Sequence, residues 1–191
     1  MSPLVPVHAR PVHPVFGLSA TPDEVANVGP PPEPRDGFIT FFDRGWSIAR
    51  LQATVVAAFW GETIFHEGCW CHKNETFFTA EDGPCYRQIR NGPLPDSFTK
   101  YYPQKVKLLP EGEEVPQARD VVNAAILHYL ATGERLFTKG WVLCSSAVRS
   151  PYDDSHYHVG VGCFGSAGLR IDLIPDDSRG ATTGLASARK L

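Results

Sequence analysis

Apolar residues recur at helical spacing in two segments of the chain, and capping signals bound each segment. The first predicted helix runs from about residue 44 to residue 60, with Asp43 or Ser47 as its cap and Gly61 as its terminator. Its core-facing stripe consists of Ile48, Leu51, Val55, Ala58 and Phe59. The second helix runs from about residue 117 to residue 132 and ends at Gly133. Because apolar residues lie on both of its faces, we predict that it is largely buried.

Runs of β-branched and aromatic residues predict strands, the clearest of them at residues 37–42, 141–148, 157–164 and 169–174. Shorter strands are predicted at residues 63–65, 76–78 and 106–109. Together these elements predict an α+β fold, in which a small and mainly antiparallel sheet carries two packed helices. We assign residues 37–176 to a single domain and interpret the small, polar residues 177–191 as a C-terminal tail.

Residues 1–36 form a proline-rich arm that is predicted to be extended, because proline cannot pair continuously in a sheet. One short helix is expected within it, since Thr21-Pro22-Asp23-Glu24 has the pattern of a capping box and Gly29 follows as a terminator. The arm also contains the apolar residues Leu4, Val5, Val7, Val15, Phe16 and Leu18. Such a segment is more apolar than a solvated tail, so we expect it to lie along its own domain or along a neighbour.

Composition places this chain of 191 residues among ordinary globular proteins, because 42% of its residues are hydrophobic and 20% are charged. The net charge of −3 does not indicate nucleic-acid binding. We interpret Lys100, Lys105 and Lys107 as part of a solvated loop. No apolar run has the length of a membrane span, and the N-terminus lacks the pattern of a secretory signal. An odd count of five cysteines predicts reduced thiols in an intracellular, reducing compartment. Mitochondrial import is the less favoured alternative, because the arm is rich in proline.

The densest group of metal-ligand residues lies in one heptapeptide and comprises His66, Cys69, Cys71 and His72. Imidazole and thiolate groups bind zinc, which makes these residues a candidate metal site. Structural zinc sites, however, combine two ligand pairs, and the rest of the chain offers no second pair. The sequence therefore favours reduced, buried cysteines here and calls for no cofactor.

A second candidate site pairs Cys85 with His158, with His156 as an alternative base. Cys85 follows Gly83-Pro84 and is predicted to begin a short helix through Arg90, where the helix dipole would lower the thiol pKa. A histidine facing such a thiol would complete a nucleophilic dyad. The alternative is that His156 and His158 are ordinary sheet residues that share one face, because they are two residues apart.

Two functions from different classes remain open. The sequence favours a non-catalytic structural or interaction component of a larger assembly, which would dock onto other protein subunits through its arm. The alternative is a small Cys/His-dependent hydrolase or transferase that uses Cys85 with His158, or a metal-binding domain that uses Cys69 and Cys71. The two classes differ in whether the candidate groups converge within hydrogen-bonding distance in a cleft.

Overall fold

The structure, a computed structural model, describes residues 20–58, 64–66, 74–149, 155–189 and 191. Eight strands form two four-stranded sheets in this part of the chain. In order across the first sheet the strands are β1 (Phe38–Asp43), β2 (Cys85–Arg90), β8 (Ala188–Arg189) and β3 (Glu113–Glu114). Across the second they are β6 (Gly168–Pro175), β5 (His156–Gly165), β4 (Trp141–Arg149) and β7 (Thr183–Leu185). Every pairing is antiparallel except that of β4 with β7.

Five helices accompany the sheets among the described residues, and the predicted α+β fold class is confirmed. They are α1 (Pro22–Val28), α2 (Ile48–Ala58), α3 (Thr76–Thr79), α4 (Tyr102–Val106) and α5 (Ala118–Thr132). Ser47 begins α2, because its hydroxyl accepts a hydrogen bond from the backbone N–H of Arg50. The helix buries Ile48, Leu51 and Val55, as its spacing predicts.

Helix α5 forms the centre of the hydrophobic core. Every residue from Ala118 to Ile126 is buried, and the helix packs against strands of both sheets. It ends at Gly133, whose φ of 77° lies in the left-handed region that glycine adopts without steric cost. The sequence predicted both the extent and the burial of this helix, because its apolar positions and its terminating glycine agree.

Three local predictions are wrong. Residues 85–90 form strand β2 instead of a helix, because all six residues pair in register with β1. Residues 76–79 form helix α3 where a strand was expected. The strand predicted at 106–109 is absent from the described fold, and α4 ends there at Val106. In each case the segment is short and its local sequence is compatible with either structure, so long-range packing determines the outcome.

The C-terminal residues are also structured, in contrast to the predicted polar tail at 177–191. Residues 183–185 form β7 beside β4, and residues 188–189 form β8 between β2 and β3. Leu185 and Ser187 are fully buried. The chain passes from one sheet directly into the other at this point, so residues 183–189 join the two halves of the fold.

The described part of the arm, residues 20–36, is attached to the domain. Helix α1 begins with the predicted capping box, in which Thr21 and Glu24 each bond the other's backbone N–H. Glu24 also forms an ion pair with Arg44, with an N–O distance of 2.6 Å. Further along, the buried side chain of Gln88 donates to the carbonyl of Glu33 at 2.7 Å. Residues 1–19 lie outside the described residues.

Candidate functional site

Cys85 is the first residue of β2 and lies opposite Asp43 on β1. Its thiol is half-buried, and this burial raises its pKa above the ordinary value, although the nearby guanidinium of Arg87 acts in the opposite direction. The expected lowering by a helix dipole does not apply, because the residue stands at the start of a strand. At neutral pH the thiol is therefore protonated and weakly nucleophilic.

His158 lies in the other sheet, on β5, and is held on two sides. Its imidazole stacks on the ring of Tyr102, with centroids 3.4 Å apart and planes 17° apart. Its Nδ1 lies 2.5 Å from Oδ1 of Asp176. In the neutral ring, a carboxylate at Nδ1 favours the tautomer that carries its proton there, which leaves Nε2 as an acceptor. Within the described residues, His158 and Cys85 share no hydrogen bond, and the two belong to different sheets.

The alternative base, His156, is exposed at the start of β5, where its Nε2 lies 3.3 Å from a guanidinium nitrogen of Arg149. The structure therefore brings His158 together with an orienting carboxylate, but it brings neither histidine together with Cys85.

Of the four candidate metal ligands, the structure places one. His66 follows the isolated bridge between Phe65 and Leu169, and its backbone N–H donates to the Leu169 carbonyl at 2.9 Å. Cys69, Cys71 and His72 lie outside the described residues. Among the residues that are described, no group of three or more His, Cys, Asp or Glu side chains is arranged to hold a metal ion. The prediction that this heptapeptide holds reduced cysteines, and the alternative that it binds zinc, are both untested, and elemental analysis can decide between them.

A buried ionic cluster, which the sequence did not predict, joins α5 to β1 and β2. Its centre is Arg87, whose Nε lies 2.9 Å from Oδ2 of Asp43 and 3.2 Å from Oδ1 of Asp120. Asp43 also accepts a hydrogen bond from the amide of Asn123 at 2.9 Å. Asp43 had suggested a helix cap in the sequence, and no local pattern links it to residues so distant along the chain.

The charges of this cluster are matched by partners on neighbouring elements. Arg119 contacts both Asp120 and Asp82, at 3.4 Å and 3.2 Å. Burial raises the pKa of Asp120, whereas a hydrogen bond from the Gly83 N–H, assisted by Arg119, lowers the pKa of Asp82. Because the carboxylates and guanidinium groups already bond one another, we interpret the cluster as a structural connection between the helix and the sheet.

A cleft of about 230 Å³ opens where β4 and β7 begin, between the loop that follows β2 and the loop that precedes β4. Three aromatic side chains line it, namely Phe98, Phe137 and Trp141. Polar side chains also contribute, and these are Asn91, Thr138, Lys139 and Thr182. Only the glycine and proline of its loops mark this cleft in the sequence, because its walls come from three distant segments of the chain.

Comparison of the chain with protein-family models, with curated proteins and with solved structures gives no significant match. Within the described part of the chain, no helix is both long enough and apolar enough to cross a membrane.

Proposed function

We propose that this chain is a non-catalytic structural or interaction component of a larger macromolecular assembly and that it docks onto other protein subunits through its N-terminal arm. The observation that carries the proposal is the attachment of the arm's second half to the domain. Residues 24, 33 and 35 each contact the domain, through Arg44, Gln88 and Glu113 respectively. The first half of the arm is therefore attached to a segment whose position is fixed.

This attachment favours docking for a physical reason. A proline-rich segment loses less conformational entropy on binding than a flexible one, and a fixed point of attachment reduces that loss further. Residues 1–19, which lie outside the described residues, carry Val5, Val7, Val15 and Phe16. Each of these side chains would contribute about 25 cal/mol for every Å² of apolar surface that a partner removes from water.

The environment of the candidate nucleophile also supports a non-catalytic role. Burial raises the pKa of the Cys85 thiol, whereas an activated cysteine has a lowered thiol pKa. Asp43, Asp82 and Asp120 all lie close enough to disfavour the thiolate. A catalytic use of Cys85 would therefore work against the electrostatics of its surroundings.

Deletion of residues 1–19 tests the docking proposal, because it leaves every described contact of residues 20–36 in place. We expect the full chain, purified natively from its source cells, to elute at the mass of a complex with stoichiometric partner proteins. The truncated chain should elute as a folded, separate protein with the same circular dichroism spectrum. A full-length variant with V5S, V7S, V15S and F16S controls for arm length and should also fail to associate. Retention of the truncated chain in the complex would contradict the proposal.

A second candidate function, a Cys/His-dependent hydrolase or transferase, has one supporting observation, although Cys85 and His158 lie in different sheets and share no hydrogen bond within the described residues. The Asp176 carboxylate orients His158, as the third group of a catalytic triad orients its base. If Cys85 acts with His158, H158A should slow alkylation of Cys85 by iodoacetamide near neutral pH, and C85S should abolish it. Equal alkylation rates at Cys85 in the wild type and in H158A would exclude this pair as a functional dyad.

A further inference from the structure

We propose that the cleft at the start of β4 and β7 binds a small, planar aromatic carboxylate. The inference is separate from the docking of the arm, because it rests on the lining of the cleft alone. Three features carry it: an aromatic interior, a polar mouth with a cation, and walls that are fixed before a ligand arrives.

The interior of the cleft is suited to a flat apolar ring. Phe137 and Val142 are buried at its base, and Phe98 and Trp141 are half-buried along its sides. Aromatic side chains bind planar rings through stacked or edge-to-face contacts in addition to the area they bury. Small-molecule sites have this composition, with mostly apolar walls and a few polar groups that fix orientation.

The mouth of the cleft supplies polar groups and positive charge. Asn91, Thr138, Lys139 and Thr182 are exposed there, and their side chains bond no other described residue. The described lining includes the cation Lys139 and no acidic residue. Arg170 adds positive charge, since its guanidinium lies 5.4 Å from the centre of the Trp141 ring. These groups favour an anion at the mouth, and a carboxylate can accept hydrogen bonds from both an ammonium and a hydroxyl.

The walls are held in place by a buried lysine. The ammonium of Lys105 donates to the carbonyl of Ser97 at 2.7 Å and to the carbonyl of Thr183 at 2.6 Å. The neighbours of those two residues, Phe98 and Thr182, stand on the walls of the cleft. Phe137 is fixed as well, in a left-handed conformation with φ of 53°, which a bulky residue adopts when its surroundings enforce it. A preformed site of this kind loses little entropy when it binds a ligand.

The size of the cleft suits a small ligand. Its volume of about 230 Å³ lies just below the range of about 300–1,000 Å³ typical of sites for drug-sized molecules, so a ligand of one or two fused aromatic rings with a carboxylate matches it.

The test uses 2-naphthoate and its neutral isostere 2-naphthamide, titrated into the full chain by calorimetry and followed by saturation-transfer NMR. We expect the acid to bind about fivefold more tightly than the amide, which is the scale of one favourable exposed charge pair. K139M should remove this preference and leave amide binding unchanged. K107M alters an exposed lysine outside the cleft and should have no effect on either compound.

A second variant tests the aromatic wall. F98A should weaken the acid and the amide alike, by about tenfold, because it removes a ring contact and buried apolar area. If F98A fails to fold, K139M still decides the question, because Lys139 is exposed and bonds no other described residue.

Three outcomes would overturn the proposal: no binding of either compound to the wild type, equal binding of acid and amide, or unchanged acid binding in K139M. A fourth would replace the ligand, namely displacement of both compounds by a synthetic peptide of residues 2–19 that also saturates the Trp141 signals. That result would assign the cleft to the arm itself.

Discussion

At the scale of single residues, the sequence pattern does not show which polar groups are buried against specific partners. Lys105 was interpreted as part of a solvated loop, yet its side chain is fully buried and bonds two backbone carbonyls. The sequence could not predict this, because one of the two acceptors, Thr183, is far away along the chain. A charged residue in a polar segment is normally exposed, and long-range packing overrides that expectation here.

Replacement of Lys105 measures the contribution of these hydrogen bonds. K105M keeps the apolar stem but leaves the carbonyls of Ser97 and Thr183 without their donor. We expect the free energy of unfolding to fall by about 1–3 kcal/mol, the cost of burying unpaired polar groups. Urea denaturation measures this change, with K107M on the exposed face as the matched control. A stability equal to the wild type would show that water replaces the ammonium.

A second prediction at this scale concerns the core. Ile126 is fully buried in α5, where the helix packs between the two sheets. I126A should lower the free energy of unfolding by about 2–5 kcal/mol, because it removes buried methyl groups and leaves a cavity. Thermal unfolding measures the effect, and V56A on the exposed side of α2 is the control, since Val56 is 56% exposed. Similar midpoints for the two variants would contradict the assigned core.

At the scale of elements, the sequence predicted the helices and strands that local signals determine. Helix α1 was predicted from its capping box and Gly29, α2 from a cap, apolar spacing and a terminator, and α5 from apolar spacing and Gly133. Strand β2 was predicted as a helix because the glycine and proline before it resemble a helix start. Its partner strand β1 is distant in sequence, since Asp43 and Arg87 are 44 residues apart. Strands β7 and β8 are too short and too rich in small residues for a periodic signal. The cleft could not be predicted either, because loops from three distant segments of the chain form it.

The two short C-terminal strands provide a prediction at this scale. Deletion of residues 183–191 removes β7 from beside β4 and β8 from between β2 and β3. It also removes the Thr183 carbonyl that accepts from Lys105 and the Ser187 hydroxyl that donates to Glu113. We expect the truncated chain to lose its cooperative thermal transition, whereas deletion of residues 190–191 should leave it intact. A cooperative transition at the wild-type midpoint in the longer deletion would restore the interpretation of this segment as a tail.

The capping carboxylate of α1 predicts that the stability of the fold depends on pH. Hydrogen bonds from the Thr21 N–H and from Arg44 lower the pKa of Glu24 from 4.5 to about 2. Because the folded-state pKa is depressed, the carboxylate stabilises the fold above about pH 4.5, and this stabilisation is lost as the pH falls toward 2. The difference in stability between the wild type and E24Q should therefore narrow across this range in urea titrations. D23N is the control, and a difference that does not change with pH would contradict the assignment.

At the scale of the whole molecule, the two ends of the described chain meet at one buried carboxylate. Glu113 forms an ion pair with Arg90 at 2.9 Å, accepts a hydrogen bond from Ser187 and lies 3.6 Å from Arg35. The arm, the first sheet and the C-terminal segment are connected through this one residue. The arm is thus divided: residues 20–36 belong to the folded domain, and residues 1–19 remain assigned to docking as a proposal.

This division predicts that two truncations of the arm differ in stability. Deletion of residues 1–19 should leave the thermal midpoint unchanged, because it removes none of the described contacts. Deletion of residues 1–35 removes the bonds to Gln88 and Glu113, which together contribute about 2 kcal/mol. For a chain of this size, that loss lowers the midpoint by about 4–8 °C. Calorimetry of both proteins at one scan rate measures the difference. Equal midpoints would mean that residues 20–36 are dispensable for folding, and a lowered midpoint in the shorter deletion would mean that residues 1–19 also stabilise the domain.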